Sequence, residues 1–302
     1  MLVLFEQVFI LFMFGAIGYF LCKRNIVSFE NSKILSSLLV YVFLPFNTFR
    51  TFASNFTVEY ISQRYNMILV SLLILVIILI ISPFMLKKMT KENYERHIYK
   101  YSLVVPNYGY MGYPLAESLL GSAGLMNIMI FALPVTVYIY TIGFAVLTKR
   151  KVELKKILSP TMVAVILGMI AGLMQIPIPS VVTTILTNAS SCMGPVGMLL
   201  TGIVISEFKL KEIVGNVNIY IITLMRLIVI PVIAGLVLRT ISGQELTQIA
   251  VLFLALPCGL NTIIFPKMVD ENCKIGAGLA LVSNILGCIT IPLLLSVFNI
   301  GA

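Results

Sequence analysis

Charge is scarce in this sequence. Only 11% of its 302 residues are Asp, Glu, Lys or Arg, while 59% are hydrophobic and the mean hydropathy is +1.04. An average soluble domain carries about a quarter charged residues, so a soluble fold of this size is excluded. Metal-ligand spacing is missing too. The five cysteines (Cys22, Cys192, Cys258, Cys273 and Cys288) form no CxxC pair, and the single histidine, His97, sits in a charged loop. A zinc site needs three or four converging ligands. No metal, no cofactor and no enzyme active site are therefore expected, and the cysteines read as small apolar fillers. The N-terminal MLVLFEQVFILFMFGAIGYFLC lacks the basic start of a signal peptide, and its apolar run is too long for one. It reads as a retained first span.

What is present comes in long apolar blocks with no room for a soluble domain between them. Windows of about 20 residues, the length that crosses a bilayer, fall near 3–22, 33–53, 66–86, 101–120 and 126–147. A second set falls near 160–176, 183–206, 216–239, 247–266 and 275–298. The expected fold class is an all-α membrane protein of ten transmembrane helices. Seventeen of the 21 basic residues cluster in alternate loops, among them Lys23, Arg24, Lys87, Lys88, Lys149, Arg150 and Lys151. Only Arg50, Arg64 and Arg239 fall on the other side, and Arg226 lies inside the eighth span. By the positive-inside rule the basic loops face the cytoplasm and both termini face outside. The net charge of +9 is thus a topology signal, and no nucleic-acid partner is expected.

Helix breakers recur at a nearly constant offset. Pro45 and Pro195 are 150 residues apart, Pro83 and Pro231 148, and Pro106 and Pro257 151. This layout divides the chain into a first five-helix repeat (1–148), a connecting loop (149–159) and a second repeat (160–302). Because five is odd, the second copy is inverted, as in many secondary transporters. The fourth and ninth spans are the most interrupted, YSLVVPNYGYMGYPLAESLL and QIAVLFLALPCGLNTIIFPKMV. Each carries a mid-span proline, then Gly and Asn. Proline removes a backbone donor, glycine permits non-helical torsions, and unwound backbone at membrane depth survives only inside protein or beside a cavity. Both spans are expected to break near the midplane, with the breaks crossing.

A broken helix presents amide donors that attract anions. Asn107 follows Pro106 directly, and Asn261 lies four residues after Pro257. Their side-chain amides can donate to a carboxylate; equally, each can cap its own broken helix. With Pro106, Pro257, Gly109 and Gly259 they form the candidate substrate site. Two ionisable residues inside spans add functional candidates. Glu117 is either a carrier of a coupling proton or an interfacial carboxylate. Arg226 either compensates charge, on substrate or on a carboxylate, or snorkels toward headgroups. Asn47, Thr48, Ser283 and Asn284 either face the cavity or bond helix to helix.

PNYGYMGYPL (106–115) together with ALPCGLN (255–261) resembles the auxin efflux carrier family. LPFNTF (44–49), GPVGMLLTGIVIS (194–206) and LMRLIVIPVIAGLV (224–237) extend the resemblance along essentially the whole chain. The resemblance implies ten spans in two inverted repeats, similar to bile-acid symporters and sodium/proton antiporters. It implies a scaffold of spans 1, 2, 6 and 7, a mobile unit of the rest, and a site shaped by Pro106, Asn107, Pro257 and Asn261. It also implies an organic-anion cargo, auxin-like or malate- or malonate-like, and a homodimer through the scaffold. The middle loop of about 12 residues suits a compact bacterial-type member in the inner membrane. The expected function is elevator-type alternating-access transport of a small carboxylate, with any coupling ion (H+ or Na+) left open. A cation exchanger of the same architecture is the alternative, although neither interrupted motif holds the acidic residue that chemistry uses; a non-transporting sensor ranks below it.

Overall fold

The computed structural model describes residues 2–149, 160–209, 215–267, 269 and 271–301, and it is all-helical among them. The helices are α1 (Leu2–Lys23), α2 (Phe29–Asn55), α3 (Val58–Met89), α4 (Asn93–Val104), α5 (Tyr108–Thr148) and α6 (Pro160–Leu173). They continue with α7 (Ser180–Ser206), α8 (Val217–Ile241), α9 (Gln244–Leu254), α10 (Asn261–Lys267) and α11 (Lys274–Val297). Among the described residues six of these, α2, α3, α5, α7, α8 and α11, are long and apolar enough to cross a membrane. The connecting loop expected at 149–159 lies, apart from Lys149, outside the described residues, as do Lys211 and Asp270.

Local sequence explains the helix ends and bends. Thr57 caps α3 by accepting from the Tyr60 amide at 3.1 Å, Glu59 sits in its first turn, and Lys87 and Lys88 in its last. These are the residues that suit each end of a helix dipole. In α2 and α8 a widened, π-type turn (Leu39–Phe43 and Met225–Val229) runs up to a proline, Pro45 and Pro231. The widening accommodates the clash between a proline ring and the carbonyl four residues earlier. In α5 the helix is kinked at Gly121, whose φ of 68° and ψ of −166° are reached readily only by glycine. The sequence reading expected a short loop between two spans here; the helix is instead interrupted at this single glycine.

Two pairs of helices approach backbone to backbone. Gly15 and Gly18 of α1 face Leu199 and Gly202 of α7, and a Cβ on Gly202 would stand 1.8 Å from the Gly15 carbonyl oxygen. Gly168 and Gly172 of α6 lie against Phe49 and Phe52 of α2 and Phe56 just past its end in the same manner. In lipid, helices gain nothing from hiding apolar surface from one another, so close packing at small residues holds them together. α2 also packs on α7, joining the two pairs into one layer. The remaining helices pack as α3 with α4 and α5, α8 with α9 and α11, and α9 with α5. A polar cluster ties three of them at one end: Asn127 of α5 donates to Glu245 of α9 at 2.8 Å, Arg64 of α3 donates to the same oxygen at 3.0 Å, and Tyr60 donates to Asn127.

Between α4 and α5, and again between α9 and α10, the chain leaves the helix and the two extended segments pair antiparallel at Pro106 and Cys258. The Asn107 amide donates to the Pro257 carbonyl at 2.8 Å, and the Gly259 amide donates to the Val105 carbonyl at 3.1 Å. The interruptions expected at Pro106 and Pro257 are present, and they cross. A Cβ on Gly259 would sit 3.2 Å from the Pro106 carbonyl oxygen and 3.3 Å from that of Val105.

Two substitutions test these approaches. Gly202→Ala must push α1 away from α7 and is expected to cost about 1–3 kcal/mol, the range for overpacking, seen as a lower melting temperature in detergent. Gly259→Ala must push the crossing segments apart; a smaller loss of melting temperature is expected because only a few tenths of an ångström are needed. An unchanged melting temperature for Gly202→Ala would contradict the packing described.

Candidate functional site

The crossing segments form one wall of a cavity of about 490 Å³. Pro106, Asn107, Gly109, Gly259 and Asn261 line it, so five of the six residues expected at the site are brought together. Pro257 is not in the lining; its ring instead lies 3.2 Å from where a Cβ on Gly287 would stand. The opposite wall comes from Ser36, Ser37, Val40 and Tyr41 in the first half of α2, with Pro160 at the start of α6. The cavity therefore lies between the crossing and the α2–α6 pair. A Cβ on Gly109 would meet nothing within 4 Å, which places this glycine against open space.

The two asparagines are not equivalent. Asn107 is 3% exposed, its backbone carbonyl accepts from the Met111 and Gly112 amides, and its side-chain Nδ2 is buried with no hydrogen-bond partner. Asn261 donates its Nδ2 to the Tyr101 hydroxyl at 3.0 Å. The Asn107 side chain makes no capping bond to its own helix. Leaving a buried donor unpaired costs about 1–3 kcal/mol, so Asn107 stands ready for an acceptor. The rest of the lining is apolar or aromatic: Leu44, Val105, Ile139, Leu260 and Ile264, with the rings of Tyr41, Tyr108, Tyr110, Tyr140, Phe144 and Phe265. Among the described residues the lining holds no Asp, Glu, Lys, Arg or His.

The ionisable candidates fall elsewhere. Glu117 lies on the arm of α5 before Gly121 and accepts from Arg50 of α2 at 2.5 Å; Arg50 also reaches Asn47 at 3.4 Å. The carboxylate is thus held in an ion pair that joins α2 to α5, away from the cavity lining. Arg226 is 0% exposed and does not snorkel. It donates to three backbone carbonyls, Leu103, Phe253 and Leu256, and is likewise absent from the lining. Asn47 donates to the Met193 sulfur at 3.9 Å, Asn284 to the Ala280 carbonyl at 2.7 Å, and Ser283 accepts from the Cys258 amide at 3.0 Å. These three act between or within helices, and none of them nor Thr48 lines the cavity.

Sequence reasoning missed three participants. In sequence Arg50 reads only as a loop charge, although it is the one basic residue near the C-terminal end of α2 and therefore an available partner for Glu117. Tyr101 carries no mark that singles it out from the other tyrosines of its span. The α2 wall of the cavity, Ser36 to Tyr41, has no motif at all.

A comparison with functionally curated proteins returns no match. The family described as "Membrane transport protein", the auxin efflux carrier family, matches residues 3–156 and 144–295. With nearly the whole chain covered, with long apolar helices, and with two interrupted helices crossing beside a cavity, the protein is an integral, multi-pass member of the auxin efflux carrier family of membrane transporters.

Proposed function

We propose that the protein is a secondary transporter of a small organic carboxylate that binds in the cavity beside the crossing. The observation that carries this reading is the unpartnered, buried Nδ2 of Asn107 in the wall of a 490 Å³ cavity. That volume falls within the roughly 300–1,000 Å³ of small-molecule pockets. A carboxylate supplies the acceptor the amide lacks, and the start of α5 adds the partial positive charge of a helix N-terminus. With the unpartnered Asn107 amide, no cationic side chain in the described lining and six aromatic rings, the arrangement suits a monocarboxylate with an apolar body better than a dicarboxylate. The absence of Asp and Glu from the described lining stands against the cation-exchange alternative.

The same reading includes ten spans in two inverted five-span repeats. Two features support it. The α1–α7 contact and the α2–α6 contact become each other when the halves are exchanged, down to their glycines: Gly15 and Gly168 are 153 residues apart, and Gly18 and Gly172 154. The interrupted helices meet as an antiparallel pair, as a twofold axis between them requires. In this arrangement α1, α2, α6 and α7 form the scaffold and, by the family pattern, the face of a homodimer. The crossing belongs to the other unit, and an elevator motion would carry it past α2. The cavity is bounded by Ser36, Phe144, Pro160 and Phe265, near the helix ends that carry the basic loops. Arg50 and Glu117 join α2 to α5 on the opposite side. With basic loops in the cytoplasm and both termini outside, this is the inward-facing arrangement.

Uptake into liposomes containing the purified protein tests the function. Labelled indole-3-acetate is expected to move faster than malate or malonate; failure of every carboxylate, with cargo of another class moving instead, would overturn the reading. Asn107→Ala is expected to weaken carboxylate binding by about 1–3 kcal/mol. Asn261→Ala should weaken it less, because its amide is already engaged by Tyr101. Equal, wild-type affinity in both folded variants would return the two asparagines to a purely structural role.

A further inference from the structure

Among the described residues Arg226 is the largest fully buried side chain, and none of the described ion pairs includes it. A guanidinium stays protonated in proteins, and an uncompensated charge in a dry interior is strongly unfavourable. The compensation here is unusual in coming entirely from main chain. Nη1 donates to the Leu103 carbonyl at 2.8 Å, Nη2 to Phe253 at 3.3 Å and Nε to Leu256 at 3.2 Å. Leu103 belongs to the last turn of α4, Phe253 to the last turn of α9, and Leu256 lies two residues past the end of α9. A helix C-terminus carries about half a negative charge, so two of them converging make about one. The guanidinium matches that sum with its single positive charge.

We propose that Arg226 is a positioning residue of the substrate site, the resident counter-cation that holds the carbonyl ends of both interrupted helices together. The proposal rests on the transport reading above only for its affinity readout. The connection to the site is short. Leu256 precedes Pro257, whose carbonyl accepts from the Asn107 amide, and Leu103 lies two residues before Val105, whose carbonyl accepts from Gly259. One side chain therefore anchors both strands of the bridge from behind, on the side away from the cavity. Without it the two negative ends face each other unscreened, the segments separate, and Asn107 leaves its place in the cavity wall. With it the carbonyl ends are already neutralised, so the wall facing the cavity keeps the amide donors without needing a metal cation behind them.

The experiment compares the purified full-length chain with Arg226→Ala, Arg226→Lys and Arg226→Met. Melting temperature is measured in sodium, choline and low-millimolar guanidinium chloride, and binding of indole-3-acetate under the same conditions. Wild type is expected to melt at the same temperature in sodium and in choline. Arg226→Ala should melt lower and bind the carboxylate at least about tenfold more weakly, a loss of about 1.4 kcal/mol, with guanidinium ion restoring both. Arg226→Lys, which keeps the charge but loses the fork, should fall between. Three outcomes would overturn the proposal: wild-type affinity in folded Arg226→Met, a folded alanine variant with no response to guanidinium, or a wild type that requires sodium for stability. Should the alanine variant fail to fold, the lysine and methionine variants decide, since a charge-dependent role separates them and a volume-filling role does not. Should wild type bind no carboxylate at all, the transport reading fails, and the cation dependence of melting still decides the role of Arg226.

Discussion

A backbone amide or carbonyl inside a membrane has no water to turn to, and this constraint governs the two interrupted helices. Breaking a helix releases carbonyls at one end and amides at the other, each costly if left alone. The crossing meets the demand group by group. The Val105 amide bonds back to Tyr101, Asn107 to Pro257, Gly259 to Val105, and Cys258 to the Ser283 hydroxyl, while Pro106 and Pro257 have no amide to satisfy. Arg226 then takes carbonyls from both helix ends. The prolines that cause the break thus also reduce the number of donors it leaves. What remains is a short stretch of irregular backbone, satisfied on the protein side and open on the cavity side.

Satisfying the crossing from behind determines what its front can offer. Arg226 contributes no contact to the cavity, and the described lining carries no fixed charge. The glycine contacts work at a different level. By bringing α1 to α7 and α2 to α6 at backbone distance, Gly15, Gly18, Gly168, Gly172 and Gly202 consolidate a layer against which the crossing can lie without being part of it. The polar cluster of Tyr60, Arg64, Asn127 and Glu245 joins α3, α5 and α9, which sit with the crossing rather than with that layer. On the function proposed above, this layer and the helices of the crossing would be the two bodies that alternating access requires. The described ion pair that joins α2 to α5, Arg50 with Glu117, is partly exposed.

The sequence made some of this legible and concealed the rest for a physical reason. Helix breakers act locally: Pro106, Gly109, Pro257 and Gly259 disrupt their own turns, so the position of each interruption could be read from neighbouring residues alone. The apolar runs, likewise, are local statements about solvent. Arg226 was visible as an ionisable residue in a span, but its partners were not, because a carbonyl oxygen exists at every position and leaves no mark in a sequence. Asn107 and Asn261 looked equivalent because their surroundings in sequence are equivalent. The difference between them, the Tyr101 hydroxyl, lies 160 residues from Asn261. Gly121 was hidden because a kink at a single residue of positive φ leaves no loop-like stretch in the sequence around it.

A site with no cation in its wall also follows from what a carrier must do twice. On the function proposed above, it has to desolvate a carboxylate on one side of the membrane and return it to water on the other, so very tight binding would slow the second step as surely as weak binding would prevent the first. A buried lysine or arginine facing the cavity would hold the anion strongly and would stand unpaired whenever the cavity was empty, which is costly in a dry interior. An amide donor carries no such liability, since an unpaired Asn107 costs far less than an unpaired charge. Among the described residues Arg226 is the one fully buried cation, and it lies away from the cavity lining, where backbone carbonyls satisfy it without cargo. On the proposed function, separating a permanent charge behind the site from neutral donors for the cargo would let the empty and the loaded states lie close in energy.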